Sequence, residues 1–153
     1  MSDAHSHAYQ RVVVALNGGP SDARIVRLAV DATRDSKAEL IAIHVVEIDW
    51  TLPLDADIAG RSEEVQRVLD MAEEVAEASK HRLEPVLLQA RDVGAAIVDE
   101  ATERGADLIV LGVPFRTRFG GDFAIGRTIP YVLQNAPCTV WVVREPMPEE
   151  ASL

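Results

Sequence analysis

Cysteine is nearly absent from the sequence, and the single residue, Cys138, excludes an intrachain disulfide. Cys138 follows Pro137 and opens an apolar run, where a small buried hydrophobic residue is a far commoner role than a catalytic thiol. A chain without disulfides suits a reducing compartment, so we expect a cytoplasmic location.

Basic residues are few, since 15 Lys and Arg stand against 25 Asp and Glu, for a formal net charge of −10. Nucleic acids and anionic membrane surfaces carry the same sign, so we expect the chain to bind neither. No apolar run approaches the ~20 residues that span a bilayer, so we expect no membrane insertion. The first residues lack a basic region followed by an apolar stretch, which argues against a signal peptide.

The familiar motifs of catalysis and phosphate binding are also missing. The sequence has no Gly-x-x-x-x-Gly-Lys loop, no Gly-x-Gly-x-x-Gly after its first strand and no Gly-x-Ser-x-Gly elbow. His5 and His7 could chelate a metal as a pair, but no further ligand stands near them, so we expect no metal site. Nothing marks a nucleophile with an adjacent base, which favours a binding protein over an enzyme.

Apolar runs alternate with amphipathic stretches, and 153 residues suit one domain. Strands are predicted over Arg11–Leu16, Glu39–Val46, Leu83–Gln89, Ala106–Leu111 and Thr139–Val143. Helices are predicted over Ala23–Asp35, Glu63–His81, Val93–Arg104 and Thr128–Asn135. This alternation predicts an α/β fold, an open, five-stranded parallel sheet of Rossmann-like type with helices on both faces. We expect a domain over 10–144, between a flexible tail at 1–9 and an acidic tail at 145–153.

Local signals sharpen several of these boundaries. Ser21 or Asp22 is predicted to cap the first helix, and Asp92 the third, which Gly105 ends. Pro85 predicts that its strand lies at an edge of the sheet. His44 lies within the second strand, where a core histidine bonded to backbone is commoner than a catalytic one.

Two loops have the composition of a ligand site. In open parallel sheets ligands bind beyond the carboxyl ends of the strands. Asn17-Gly18-Gly19-Pro20 follows the first strand, and the glycine-rich stretch 112–128 follows the fourth and leads into a helix. Arg116, Arg118 and Arg127 lie in the second stretch and suggest an anionic ligand, most simply a phosphate. A solvated loop whose arginines pair with surface acids would have the same composition.

Four blocks of sequence resemble the universal stress protein family. They are Val13–Gly18, Glu39–Val46, Ala106–Gly112 and Asn135–Val140, and the resemblance extends over Gln10–Arg144. It implies an adenine nucleotide alpha hydrolase-like fold with a five-stranded parallel sheet. It also implies a homodimer, often paired through the final strand, here Thr139–Val143. Some branches of the family bind ATP and others do not.

The ATP-binding branches typically have an Asp at the end of the first strand and Gly-x2-Gly-x9-Gly-Ser/Thr after the fourth. Here Asn17 stands in place of the Asp, and Phe115 replaces the second glycine. Gly112 matches the first glycine, Gly126 matches the third if one extra residue is allowed, and Arg127 takes the Ser/Thr position. Gly120 and Gly121 could rebuild a backbone cradle in another register.

The resemblance therefore implies a remodelled site for ATP or AMP. Its residues would be Ala15, Asn17, Val45, Gly112, Gly126, Arg127 and Thr128, with adenine near Val45 and the phosphates near the last four. Asn17 lacks the carboxylate that Mg²⁺ prefers, so a metal requirement is doubtful. Arg127 adds a guanidinium that suits phosphate. The alternatives are a regulatory partner that binds no nucleotide and acts through protein contacts, including those with a membrane transporter, and a nucleotide hydrolase.

Overall fold

The computed structural model describes residues 9–53, 62–113 and 126–147. Several expectations therefore lie outside the described residues: the histidine pair in the N-terminal tail, the end of the acidic C-terminal tail, residues 54–61, and Phe115, Arg116, Arg118, Gly120 and Gly121.

The chain alternates strands and helices from end to end. The strands are β1 (Arg11–Leu16), β2 (Glu39–Glu47), β3 (Leu83–Ala90), β4 (Leu108–Val113) and β5 (Thr139–Arg144). The helices are α1 (Asp22–Ala32), α2 (Ser62–Ala78), α3 (Val93–Arg104) and α4 (Thr128–Asn135). The strands form one sheet in the order β3-β2-β1-β4-β5, and every neighbouring pair is parallel. The predicted five-stranded parallel sheet is confirmed.

Alternate residues of β1 face opposite helical layers. Val12 and Val14 belong to the apolar cluster that includes residues of α1 and α2. Val13 and Ala15 belong to the other cluster, with residues of α3 and α4. Because successive side chains of a strand point to opposite faces, both faces of the central strand are buried, which explains its unbroken apolar sequence.

The two ends of α3 form as the sequence predicts. An Asp92 carboxylate oxygen accepts a hydrogen bond from the Ala95 N–H at 3.1 Å, and Gly105 ends the helix with a left-handed φ of 66°. The start of α1 differs, because Ser21 makes no capping hydrogen bond with its side chain. Asp22 instead directs its carboxylate to the preceding turn, so the predicted side-chain cap of α1 is wrong.

Both edges of the sheet carry apolar side chains. Pro85 lies on the edge strand β3, as predicted, and β5 forms the other edge. The Tyr9 ring packs edge-on against Trp141, with 5.5 Å between ring centroids. The sequence placed Tyr9 in the tail, but this contact joins it to the packed domain.

Among the helices that the structure describes, none combines the length and apolarity needed to cross a membrane.

Candidate ligand-binding cleft

A cleft of about 810 Å³ opens where β1 and β2 end, with α2 as its outer wall. Small-molecule sites commonly measure about 300–1,000 Å³, and the carboxyl edge is where open parallel sheets bind ligands. Its lining comprises Asn17, Gly18, Gly19, Asp22, His44, Val45, Val46, Glu47, Glu64, Val65, Arg67, Val68 and Met71.

The turn after β1 is closed by its own side chains. Asp22 accepts hydrogen bonds from the N–H groups of Asn17, at 3.0 Å, and Gly18, at 2.8 Å. The Asn17 side-chain oxygen accepts from the Gly19 N–H at 2.7 Å. Gly18 has a φ of 83°, a left-handed conformation that glycine adopts without strain. Three consecutive backbone donors are thus engaged, so the turn does not offer them to a ligand as its composition suggested.

Asp22 is a buried carboxylate, only 3% exposed, that nevertheless lines the cleft. Burial raises the pKa of Asp22 above the ordinary value of 3.8, because water no longer solvates the charge. The hydrogen bonds from Asn17 and Gly18, and the attraction of His44, act in the opposite direction. The sequence suggested only a cap for this residue, because its role depends on the tertiary turn.

His44 confirms the prediction of a histidine bonded to backbone and adds a position in the cleft. Its Nδ1 lies 3.1 Å from the carbonyl oxygen of Leu16. A carbonyl only accepts hydrogen bonds, so Nδ1 carries the hydrogen. In the neutral ring, Nε2 is then an acceptor that a ligand hydroxyl or amino group can use.

The wall from α2 is mixed in character. Glu64, Val68 and Met71 are spaced three or four residues apart, which brings them to one face of the helix, and Arg67 lines the same cleft. Helical spacing alone favours Val68 as a core residue and the charged residues of this helix as solvent-facing. In the sequence, Glu64 and Arg67 occur at helical spacing from the apolar residues Val68 and Met71. This spacing is the signal that the helix faces a cleft as well as the core.

The structure divides the predicted site residues into three groups. Asn17 and Val45 line the cleft. Ala15 is buried within the sheet, where it is paired with Ile43 on one side and Leu111 on the other. Gly112, Gly126, Arg127 and Thr128 are not among the described lining residues of the cleft.

Gly112 has a packing role of its own. A Cβ atom there would lie 3.1 Å from Ser21 Cβ and 3.1 Å from Ile25 Cγ2. These separations are shorter than ordinary carbon contacts, so glycine permits the start of α1 to approach β4 closely. Its presence is thus explained without a ligand.

The start of α4 is open. Gly126 has a φ of 82°, and nothing would lie within 4 Å of a Cβ placed there. Arg127 is exposed at the N-cap position and makes no side-chain cap. The N–H groups of Thr128 and Ile129 lack partners within the helix, as first-turn donors do, and Pro130 has no N–H.

Arg91 fixes the beginning of the connection from β2 to α2. Its guanidinium donates to the carbonyl oxygens of Asp49 and Leu52, both at 2.8 Å. It also lies 4.8 Å from the centre of the Trp50 ring, a cation–π distance. The connection from β2 to α2 thus has a structured start, and Trp50 remains 80% exposed.

Cys138 has the properties of a structural residue. It packs against the apolar cluster on the α3 and α4 side of the sheet, and burial raises the pKa of its thiol. A raised pKa disfavours the reactive thiolate. Within the described ranges, no group of three or more metal-ligating side chains occurs.

Comparison with known proteins identifies relatives along almost the whole chain. Residues 8–144 match the universal stress protein family. The sensor protein KdpD of Mycobacterium tuberculosis is 31% identical over 145 residues, which cover 95% of this chain but 16% of KdpD. A universal stress protein of Methanocaldococcus jannaschii is 26% identical over 147 residues, covering 92% of this chain and 85% of that protein.

The fold agrees with these matches. A crystal structure of a universal stress protein in complex with cAMP superimposes with a TM-score of 0.68 at 25% identity. That alignment covers 90% of this chain and 98% of the other. The resemblance seen in the sequence is thereby confirmed, and the chain belongs to the universal stress protein family.

Proposed function

We propose that this chain is a regulatory domain that binds an adenine nucleotide in the cleft between β1, β2 and α2. The observation that carries the proposal is the cleft itself, where Val45, Val68 and Met71 provide apolar contacts beside polar groups of the Asn17 turn. Apolar contacts beside a few fixed polar groups are typical of small-molecule sites. A family member solved with cAMP supports the choice of ligand.

The lining suggests how each part of a nucleotide would be held. The planar base would lie between Val45 and the apolar residues of α2, which agrees with the position near Val45 that the family resemblance implies for adenine. Ribose hydroxyls would donate to the nearby acceptors, the Asp22 carboxylate and His44 Nε2. A phosphate would extend toward the start of α4, where Gly126, Arg127 and Thr128 offer backbone donors and a guanidinium.

We propose binding without efficient hydrolysis, with AMP or ATP as ligand and no strict need for Mg²⁺. His44 is tied through Nδ1 to a backbone carbonyl, and the Ser21 hydroxyl is buried. Burial raises the pKa of Cys138, which keeps its thiol protonated. None of these described side chains is therefore poised as a nucleophile beside a base.

The first test is whether nucleotide accompanies the protein. Mass spectrometry of the protein denatured straight after purification should detect an adenine nucleotide. A cleft-filling substitution, Met71→Trp, should remove it and weaken AMP binding at least tenfold. Glu74→Trp, on an exposed position of the same helix, is the matched control and should bind as the parent does. Equal binding by both variants would exclude this cleft as the nucleotide site.

A second candidate function is regulation through protein contacts alone. The observation that favours it is the match to a segment of the sensor protein KdpD, since the chain spans 16% of that protein's length. Such a partner would use a surface of the domain and would leave the cleft empty. Purified protein that carries no nucleotide and binds none on titration would favour this candidate.

We propose a cytoplasmic location for either function, because the single thiol suits a reducing compartment.

We also propose a homodimer paired through the Thr139–Val143 edge. Val142 is 41% exposed on β5, and an edge strand presents unpaired backbone that a second copy can satisfy. Light scattering at micromolar concentration should report a dimer that Val142→Glu dissociates. Leu87→Glu, on the opposite edge strand and 44% exposed, is the matched control and should remain dimeric. A monomeric parent protein would contradict this assembly.

A further inference from the structure

The turn that follows β2 presents Trp50 to solvent in a fixed position. Its backbone closes through the Leu52 N–H, which donates to the Asp49 carbonyl oxygen at 3.0 Å. The Asp49 carboxylate accepts hydrogen bonds from the Thr51 N–H, at 2.8 Å, and from the Thr51 hydroxyl, at 2.9 Å. Arg91, which follows β3, donates to the Asp49 and Leu52 carbonyl oxygens. Hydrogen bonds from both sides thus order a short segment whose central aromatic ring is left in water.

Trp50 has the properties of an anchor for a protein interface. The Arg91 guanidinium lies 4.8 Å from the centre of its ring and restricts the orientation of the ring, yet most of the residue remains exposed. Leu52 and Pro53 are exposed beside it in the chain, so the apolar surface extends beyond one side chain. Tryptophan is enriched among residues that dominate binding energy, and a side chain that is already ordered loses little entropy on binding.

The neighbourhood of Trp50 is acidic. Asp49 precedes it, Glu47 ends β2, and Asp92 caps α3, and all three acidic residues are exposed. Arg91 is positively charged, but its guanidinium already contacts two carbonyl oxygens and the Trp50 ring. Three carboxylates beside one engaged guanidinium leave a negative rim around an apolar centre, which is complementary to a positively charged, partly apolar partner.

We infer that the Trp50 turn, residues 49–53, is the docking site of a basic amphipathic segment of another protein. Apolar side chains of that segment would cover Trp50 and Leu52, and its lysines or arginines would pair with the neighbouring carboxylates. Charge complementarity selects this partner, because a second copy of the chain would bring like carboxylates together and an anionic membrane or a nucleic acid would add negative charge. The inference does not depend on a nucleotide, since Trp50 is not among the described lining residues of the cleft.

The test is calorimetric titration of the purified chain with a helical probe peptide that carries leucine on one face and lysine on the other. We expect saturable binding that Trp50→Ala weakens at least tenfold. Leu133→Ala, which removes an exposed apolar side chain from α4, is the matched control and should bind as the parent does. The same peptide with glutamate in place of lysine should not bind. No binding of the lysine peptide, or equal binding by the two variants, would overturn the inference.

The contribution of charge is tested separately. Asp49→Asn keeps a side-chain oxygen that can accept from Thr51 but removes the negative charge, so it should weaken binding of the lysine peptide about threefold. Glu103→Gln, at the far end of α3, is the control and should leave the affinity unchanged. Equal affinities of these two variants would contradict recognition by charge at this turn.

Fluorescence reports directly whether the ring is covered. The chain has two tryptophans, so Trp141→Phe leaves Trp50 as the emitting residue. Its emission should shift to shorter wavelength when the lysine peptide binds, because the ring leaves water. Trp50-dependent association with phosphatidylcholine vesicles, or with a second copy of the chain, would assign the turn to a different partner and overturn the inference. AMP titration of the same samples shows separately whether the proposed nucleotide cleft functions.

Discussion

Two loop regions at the carboxyl edge of the sheet have similar compositions but different structural roles. In the turn after β1, Asn17 and Asp22 consume the backbone donors, and the surface left to the cleft is partly acidic. At the start of α4, Gly126 and Arg127 are exposed, and the first helical donors have no partners inside the helix. One region is a closed structural turn, and the other has the open donors and positive charge that an anion requires.

The difference shows that glycine-rich composition does not by itself identify a phosphate site. What matters is whether the N–H groups already have partners, and this depends on a side chain five residues away from Asn17. Asn17 stands where the sequence resemblance implies an acidic residue, and the Asp22 carboxylate occupies the same turn from the helix side. The cleft therefore contains an acid at Asp22.

The largest expected effect comes from opening the closed turn. Asp22→Ala leaves the N–H groups of Asn17 and Gly18 without their partner, which should cost about 2–3 kcal/mol of the free energy of unfolding. For a chain of this size, each kcal/mol lowers Tm by about 2–4 °C. Asp31→Ala, which removes an exposed ion pair between this α1 residue and Arg34 just beyond the helix, should cost less than about 1 kcal/mol. Thermal unfolding of the two variants would show equal losses if the Asp22 contacts were unimportant.

The open region should affect binding and leave stability unchanged. Arg127→Ala should weaken AMP binding about tenfold, or about 1.4 kcal/mol, because it removes a charged donor from the start of α4. Arg127 is exposed, so we expect the lower end of the range for charge-assisted contacts. Arg27→Ala, an exposed cation on α1, is the control and should bind AMP normally. Calorimetry and a melting curve on the same samples separate binding from folding, and an unchanged affinity would remove Arg127 from the site.

The effect of Mg²⁺ on ATP affinity should be smaller than the effect of Arg127→Ala on AMP affinity. The Asn17 side-chain oxygen is engaged with the Gly19 N–H, and an amide carries no charge to attract Mg²⁺. Addition of Mg²⁺ should therefore change ATP affinity by less than tenfold, whereas Asn17→Asp should increase the dependence. Calorimetric titrations of ATP with and without Mg²⁺ measure both ratios. A tenfold or larger gain in the parent protein would contradict this interpretation of Asn17.

The smallest expected effect is the pH dependence of the free energy of unfolding that Asp22 causes. Because burial raises the pKa of Asp22 above 3.8, the folded state binds this proton more tightly than the unfolded state. The resulting stabilisation is fully present below about pH 3.8 and is lost as the pH rises through the folded pKa. Relative to Asp22→Asn, the parent protein should lose free energy of unfolding as the pH rises from about 3.8 toward neutrality. Denaturant titrations across that range would contradict this account if the difference stayed constant.

The sequence predicted those features that depend on local chemistry. The bounds of α3 followed from Asp92 and Gly105, since both caps lie within a few residues of the backbone groups that they satisfy. Only the strand side of the cleft could be predicted. The wall from α2 is set by packing between separate elements, which no local sequence pattern specifies. Glu64 and Met71 were missed for that reason, and Asp22 was misassigned because its partners precede the helix that it was expected to cap.

The most direct test of the proposed nucleotide cleft is the pattern of amide chemical-shift changes when AMP is added to the ¹⁵N-labelled protein. We expect the largest chemical-shift changes at Val45, Val46 and Met71, with smaller ones at Thr128. The amide chemical shifts of residues at the amino-terminal end of the sheet, such as Arg11 and Asp107, should not change. Changes confined to residues outside the cleft, or no changes at millimolar AMP, would contradict the assignment of this cleft as a nucleotide site.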